Sequence, residues 1–189
     1  AALHEATAGQ IVAIDGKTLR RSFDAASGKS AIHLVSAWAT ANCLSLGQVA
    51  VDQKSNEITA IPQLLKMLEL SGCLVTIDAM GCQTEIAQGI IDAGADYVLA
   101  VKKNQKHLYD DVSWFFLTKL AENFAGVRVR RHTTREKGHG REETREYYVC
   151  AVPDELRNRK RWPRLAAIGC VVSRVVRDGK MTCQRRYYI

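Results

Sequence analysis

The chain lacks the features that would tie it to a membrane, an export route or a disulfide framework. It has no uninterrupted apolar run of about 18 residues, which a membrane-spanning helix needs. Its N-terminal residues lack the basic start and the long apolar centre of a signal peptide. The six cysteines never occur as C-x-x-C, and most lie in apolar runs, where a thiol packs as a small hydrophobe. We therefore predict a cytoplasmic protein with reduced cysteines and no membrane association.

Motifs for nucleotide cofactors and zinc are also missing. No G-x-G-x-x-G follows an apolar strand, so a dinucleotide-binding fold has no support. Gly16-Lys17-Thr18 looks like the end of a phosphate-binding loop, but Ile11 stands where that motif needs its first glycine. His132 and His139 have no partner at zinc-ligand spacing, and we expect both to be solvated or to face a nucleic acid.

What the chain does have is a positive charge concentrated in its C-terminal third. The net charge is +7, although residues 1–126 contain more acidic than basic residues. Residues 127–189 therefore hold all of the excess of Lys and Arg. Such an asymmetry predicts a polyanionic partner for this region, with binding that weakens steeply as salt is added. The alternative is that these charges form an ordinary solvated surface.

Hydrophobic periodicity predicts a regular order of strands and helices in residues 1–126. Two short apolar runs, Ile11–Ile14 and Leu74–Ile77, each end at an aspartate, Asp15 and Asp78. The other predicted strands are Ala31–Thr40, Leu44–Val51 and Tyr97–Val101. Amphipathic spacing predicts helices over Glu57–Leu70, Gln83–Ala93 and Gln105–Leu120.

This βββ-α-β-α-β-α order matches an α/β fold of the ribonuclease-H-like type, a mixed five-stranded sheet with flanking helices. Right-handed crossovers would place the fourth strand beside the first and bring Asp15 and Asp78 together. The opening antiparallel meander argues against a flavodoxin-like fold. We predict that residues 1–126 form this core, and that residues 127–189 form a basic, β-rich insertion region.

Residues 127–189 show a different pattern, with alternating residues that predict further strands. Two of these strands are expected to be joined by a basic loop at Lys137–Arg141. A hairpin is expected around Asp178-Gly179, because this residue pair favours a tight two-residue turn.

Two neighbouring carboxylates repel each other unless a cation neutralises them. Mg²⁺ or Mn²⁺ takes oxygen ligands from carboxylates, phosphates and water, and a pair of such ions supports phosphodiester chemistry. The pattern therefore predicts a divalent metal site at Asp15 and Asp78 that acts on DNA. The structural alternatives are a turn residue for Asp15 and a helix N-cap for Asp78.

Four segments carry a family resemblance: I-V-A-I-D-G-K-T-L-R-R-S, T-I-D-A-M-G-C-Q, D-Y-V-L-A-V-K-K-N-Q and K-G-H-G-R-E-E-T-R. They resemble the DDE transposases of bacterial insertion sequences, in particular the H-repeat-associated group. The resemblance implies metal-dependent DNA strand cleavage and strand transfer, with Asp15 and Asp78 as catalytic metal ligands. It also implies a nucleoid-associated protein that binds element ends and target DNA, and it is compatible with a homodimer.

In that family a glutamate completes the carboxylate set, on a helix that would follow the Y-Y-I segment. We expect the chain to be a C-terminally truncated fragment without this glutamate and with little cleavage activity; Glu143 is a weaker in-chain alternative. The expected DNA contacts are Lys17, Arg20, Lys102, Lys103, Arg141 and Arg145.

Two other interpretations remain open. The first is another ribonuclease-H-like nuclease, such as a resolvase or an enzyme that cleaves RNA–DNA hybrids. The second is a domesticated or inactive DNA-binding protein, in which the basic C-terminal part works alone. The second interpretation predicts that DNA affinity survives the loss of Asp15 and Asp78.

Overall fold

The computed structural model describes residues 9–19, 22, 33–51, 57–138 and 140–189. The chain divides into two compact units, residues 1–99 and residues 100–189, and each is described by itself. The predicted boundary after residue 126 is of another kind, because it marks the end of a proposed catalytic core and not of a compact unit. It stays a prediction. In the described part of the chain, no helix is long and apolar enough to cross a membrane.

The first unit is built on a mixed sheet. Its strands are β1 (Ile11–Thr18), β2 (His33–Ala39), β3 (Leu44–Val51), β4 (Leu74–Ile77) and the first part of β5 (Asp96–Val101). Their order is β3-β2-β1-β4-β5. Strands β1, β2 and β3 are antiparallel neighbours, whereas β1, β4 and β5 run parallel. The predicted meander and the predicted place of the fourth strand beside the first are both observed.

Strand β1 is longer than the sequence pattern predicted. The prediction that it ends at Ile14 is wrong, because β2 continues to pair with β1 as far as Thr18 and His33. The pairing with β4 does stop at Ile14 and Ile77. Asp15 therefore lies within a strand, and its interpretation as a turn residue is also wrong.

Two helices cover one face of this sheet, α1 (Glu57–Met67) and α2 (Thr84–Asp92). The buried residues of β1, Val12 and Ile14, share that face with buried alanines of β2 because paired residues project to the same side. Helix α1 contributes Leu64 and Leu65 to the core. It ends earlier than the predicted Leu70.

The second unit is an antiparallel sheet with one long helix. It contains α3 (Lys106–Ala121), β6 (Val129–Gly138), β7 (Arg141–Ala151), β8 (Ala167–Arg177) and β9 (Lys180–Tyr188). Each of these strands pairs with the next, and the last two residues of β5 pair with β9.

Helix α3 and the segment after it pack on one face of this sheet, which we call the inner face. Phe116 of α3 stacks on Tyr187, with ring centroids 6.3 Å apart. Phe124 stacks on Tyr148 at 5.2 Å. The remaining core of this face is aliphatic or thiol in character and includes Ile168, Cys170 and Val172. All six cysteines of the chain are free thiols.

The turns of the second unit test two of the local predictions. The predicted loop at Lys137–Arg141 is wrong in its extent, because Gly138 and Arg141 already form a cross-strand pair. The hairpin at Asp178-Gly179 is confirmed. Both residues have positive φ, 49° and 71°, as a two-residue turn between twisted strands requires.

Candidate active site

Asp15 and Asp78 occupy matching positions on parallel neighbouring strands. The last register pair of β1 and β4 is Ile14 with Ile77, and each aspartate is the next residue along its chain. Neighbouring strands lie about 4.8 Å apart, so the two Cα positions fall within reach of one shared cation. Both residues are exposed. The backbone positions of the two aspartates thus lie side by side at one edge of the first unit.

Polar residues also occupy the positions beside Asp15 on the next two strands of the sheet. Asp15 pairs with Ser36 of β2, and Ser36 pairs with Gln48 of β3. The sequence analysis missed both, because only the register of the meander shows that they stand beside Asp15. The available signal was that Ser36 is the polar residue between Val35 and Ala37, both of which are buried.

The backbone after β4 holds the Asp78 carboxylate in place. Asp78 is the N-cap of a 3-10 turn, Ala79–Gly81, and its Oδ1 accepts a hydrogen bond of 3.0 Å from the Met80 N–H. The capping interpretation is therefore correct for this turn. It does not compete with metal binding, since a carboxylate has a second oxygen that projects away from the one engaged in the cap.

Gly81 and Cys82 explain why the turn folds back so tightly. A Cβ at Gly81 would lie 2.3 Å from Ile77 Cγ2 and 3.2 Å from Ile61 Cδ1, so only glycine allows this approach to β4 and α1. Burial raises the pKa of the Cys82 thiol to about 12. This thiol is therefore neutral at ordinary pH, and its side chain is fully buried within the turn.

The donor set fits a hard divalent cation. Both side chains supply oxygen atoms, which Mg²⁺ and Mn²⁺ prefer, and neither strand places a thiolate beside them. The set is small, however. Within the described ranges, no three or more His, Cys, Asp or Glu side chains form a group that could hold a metal ion. Asp15 and Asp78 would leave most of the coordination sphere to water and substrate oxygens.

The predicted DNA contacts of the first unit have different outcomes. Lys17 is exposed and lies two residues after Asp15 in β1, so both side chains project from the same face. Arg20 lies outside the described residues.

The predicted contacts of the second unit are all described. Lys102 and Lys103 are exposed at the end of β5, where Lys102 precedes a 3-10 turn without a side-chain cap. Arg141 is exposed and Arg145 is half-buried, and both lie on β7.

Glu143 lies between these two arginines. It is buried, and its Oε1 accepts hydrogen bonds of 2.8 Å from Arg145 Nε and from the Ser173 hydroxyl. Arg141 Nη2 is 3.8 Å from its Oε2. The hydrogen bond from Ser173, together with that from Arg145, lowers the pKa of Glu143. Its carboxylate is therefore committed to partners within β7 and β8.

Comparison with known proteins identifies the class. The family described as "Transposase DDE domain" matches residues 6–163, which is most of the chain. The chain therefore belongs to the DDE transposase family.

Individual relatives agree with this assignment. "Putative transposase YncI" of Escherichia coli K12 is 51% identical over 153 residues, which are 81% of this chain and 60% of that protein. "H repeat-associated putative transposase YbfD" of the same strain is 46% identical over the same share of the chain and 59% of its own length. An uncharacterized protein of Xanthobacter autotrophicus is 42% identical over 191 residues, covering 100% of this chain and 63% of that protein. The chain thus spans less than two thirds of these relatives.

Proposed function

We propose that this chain is part of a DNA transposase that cleaves DNA strands and transfers them, with Asp15 and Asp78 as its catalytic metal ligands. The observation that carries the proposal is the register of β1 and β4, which puts the two aspartates at matching positions on parallel neighbours. The strand order β3-β2-β1-β4-β5 supports a ribonuclease-H-like core. We take residues 1–126 as this core and residues 127–189 as a basic insertion region.

In this proposal the chain's own residues hold and orient the reacting groups. Asp15 projects from a strand whose pairing with β2 continues past it to Thr18, so its backbone position is fixed. The Met80 N–H orients the Asp78 carboxylate through the cap. Divalent ions held there, Mg²⁺ or Mn²⁺, would supply activation of the attacking oxygen and stabilisation of the leaving oxygen. Lys17, on the same face, is suited to bind a DNA phosphate.

The remaining predicted contacts belong to the basic second unit. Lys102 and Lys103, with Arg141 and Arg145 of β7, are proposed to hold the DNA backbone. Such contacts position the polynucleotide and carry no sequence information by themselves.

Two carboxylates make a weak site for a two-metal reaction. Because no third ligand groups with Asp15 and Asp78 in the described ranges, we propose that the 189-residue chain binds metal weakly and cleaves DNA slowly or not at all. Robust Mg²⁺-dependent nicking by this chain would show that the two aspartates suffice.

The test uses the whole natural protein with labelled DNA that carries the ends of the element. Asp15→Asn and Asp78→Asn should each abolish Mg²⁺- or Mn²⁺-dependent cleavage and end joining while DNA affinity stays within about twofold, because only the metal ligands change. Asp96→Asn is the matched control, since Asp96 is an exposed aspartate paired with Leu74 at the start of β4, away from the site. Full activity in either site variant would exclude the proposed roles.

A second candidate function is DNA binding without catalysis, which the excess of basic residues in 127–189 favours. It predicts DNA binding by the natural protein but no metal-dependent cleavage under any condition. Hydrolysis without end joining would instead favour a different ribonuclease-H-like nuclease.

A further inference from the structure

The face of the β6–β9 sheet opposite to the inner face, which we call the outer face, is rich in positive charge. Cross-strand pairing assigns Arg145 of β7 to this face together with Thr134, Ser173 and Gln184. The same alternation places six basic residues on it: Arg130, Arg141, Arg145, Arg177, Lys180 and Arg186. The carboxylates that share this face are Glu136 and Glu143.

The acidic residues of the two faces have different partners. On the inner face, Glu142 pairs with Lys137 and Glu146 pairs with Arg174, so each carboxylate neutralises its own base. On the outer face, both carboxylates approach the Arg145 guanidinium, and Glu143 Oε2 also lies 3.8 Å from Arg141 Nη2. Arg145 Nε is 2.8 Å from Glu143 Oε1, and its Nη1 is 3.7 Å from Glu136 Oε1.

Glu143 is the best-fixed member of this cluster. It is the one charged residue that is buried in the described part of the chain, and it has two hydrogen bonds to one oxygen. Ser173, one of the donors, comes from the neighbouring strand β8, so the carboxylate is fixed across two strands. It holds Arg145 through Nε. The end-on pair of N–H groups, one on Nη1 and one on Nη2, points away from the carboxylate oxygen bound at Nε, as the fork geometry of a guanidinium requires.

We propose that Glu143 is a positioning residue that fixes the Arg145 guanidinium on the outer face so that its terminal N–H groups bind a DNA phosphate. The proposal rests on the proposed DNA-binding function and deepens it. It assigns the outer face as the surface that follows the DNA backbone, and it gives Glu143 a role other than that of a third metal ligand. An arginine that is already ordered loses less side-chain entropy when it binds.

Duplex DNA is the partner that the dimensions and the charge favour. Neighbouring strands lie about 4.8 Å apart, and side chains of one face repeat about every 6.8 Å along a strand. The six basic residues are therefore spread over an extended surface and do not converge in a pocket. A small anion would be held by converging groups. A long, regular polyanion is matched by charges distributed along strands. The Lys and Arg side chains then replace the counterions of the duplex.

The test depends on whether a substitution of Glu143 raises or lowers the affinity for DNA. Glu143→Gln removes one negative charge from a basic surface, so electrostatics alone predicts tighter DNA binding. Positioning predicts the opposite, a loss of about two- to tenfold in affinity, because the neutral amide oxygen of glutamine holds the guanidinium more weakly than the carboxylate does and leaves Arg145 less ordered before binding. The measurement is fluorescence anisotropy of the 189-residue chain with a labelled duplex of arbitrary sequence, repeated with its single strand.

Glu142→Gln is the matched control. It is the neighbouring residue, it removes the same charge, and it lies on the inner face beside Lys137. We expect its affinity to equal or slightly exceed that of the wild type. Arg145→Lys provides a second test that keeps the charge of the outer face but loses the fork geometry. It should weaken binding as much as Glu143→Gln, whereas Arg135→Lys, on the inner face, should not change it.

The outcomes distinguish DNA binding by the chain from the positioning role of Glu143. If the wild-type chain shows no salt-dependent binding to duplex DNA, the proposed DNA-binding function fails and this inference fails with it. If the wild type binds but Glu143→Gln tightens binding, or Arg145→Lys has no effect, only the positioning role fails. Preference for the single strand would overturn the assignment to duplex. If Glu143→Gln does not fold, the Arg145→Lys and Arg135→Lys pair decides the question.

Discussion

Asp78 combines a structural and a proposed chemical role in one side chain. Its Oδ1 caps the turn at Ala79–Gly81, and the carboxylate as a whole supplies the negative charge that a metal site needs. The two roles are separable, because an asparagine retains an oxygen acceptor but has no charge.

The cap leads to a prediction about stability. Asp78→Asn should unfold at nearly the urea concentration of the wild type, whereas Asp78→Ala should lose about 1 kcal/mol, the usual cost of removing a capping side chain. The comparison pair is Asp15→Asn and Asp15→Ala, which should differ little because Asp15 lies within a strand and caps no turn. Equal stability of the two Asp78 variants would show that the cap contributes nothing.

Glu143 gives a prediction about pH. Its pKa is lowered from 4.5 in the folded chain, so its contribution to stability is complete above pH 4.5. The contribution falls as the pH drops below 4.5 and is lost once the pH passes the lowered pKa of the folded state. Urea unfolding between pH 3 and pH 7 should therefore show a steeper acid loss for the wild type than for Glu143→Gln. Parallel pH profiles would contradict the assignment.

Among single residues, the sequence indicates the acidic residues that end apolar runs. It does not indicate the acidic residues whose partners lie on another strand. The neighbouring positions of Asp15 and Asp78 could be predicted, because each aspartate follows an apolar run that indicates a strand. The cluster of Glu143, Arg145 and Ser173 could not be predicted, because Ser173 lies far away in the sequence and meets Glu143 only through the pairing of β7 with β8.

At the scale of secondary-structure elements, the turn after β4 is tightly constrained by its neighbours. It packs against Ile77 at a distance that admits no side chain on Gly81. The sequence does not predict this constraint, because nothing in the local pattern of Ala79-Met80-Gly81 shows how close α1 and β4 approach.

The turn gives a prediction that has an internal control. Gly81→Ala should cost about 1–3 kcal/mol, since the stiff branched side chain of Ile77 must shift. Gly89→Ala should be neutral or should add up to about 1 kcal/mol, because Gly89 lies in α2 with Leu65 at an ordinary 3.5 Å. Thermal unfolding of both variants checks the pair. If Gly81→Ala is as stable as Gly89→Ala, the close packing of the turn is wrong.

Strand boundaries show why an apolar pattern can end before its strand does. The apolar run of β1 stops at Ile14, but the strand continues to Thr18 because its partner β2 supplies hydrogen bonds there. The same happens at Gly138 and Arg141, where β6 and β7 pair up to the turn. Backbone pairing needs no apolar side chains, so charged strand ends look like loops in the sequence.

At the scale of the whole molecule, the uneven charge is the property that the sequence predicts most directly. Most of the basic residues of 127–189 are distributed over both faces of a sheet, the others lie between its strands or just before the first of them, and the sequence alone does not show which of them are neutralised. The order of the strands in the first unit could be predicted because right-handed crossovers leave few topologies. The division of the chain into two units after Leu99 could not be predicted, because it falls inside an apolar strand.

The charge distribution predicts a strong effect of salt on DNA binding. If the six basic residues of the outer face contact phosphates, log Kobs should fall against log salt with a slope of about −5. Arg145→Ala should make the slope shallower by about one, whereas Lys66→Gln, on the exposed side of α1, should leave it unchanged. A slope near zero for the wild type would contradict a backbone-binding role for this surface.

Calorimetric titration of the 189-residue chain with Mn²⁺ decides whether Asp15 and Asp78 share one divalent cation. We expect saturable binding that Asp15→Asn and Asp78→Asn each weaken by about tenfold or more, and that Asp96→Asn leaves unchanged. Mn²⁺ binding that is unaffected by both site substitutions, or affected by only one of them, would contradict a shared cation.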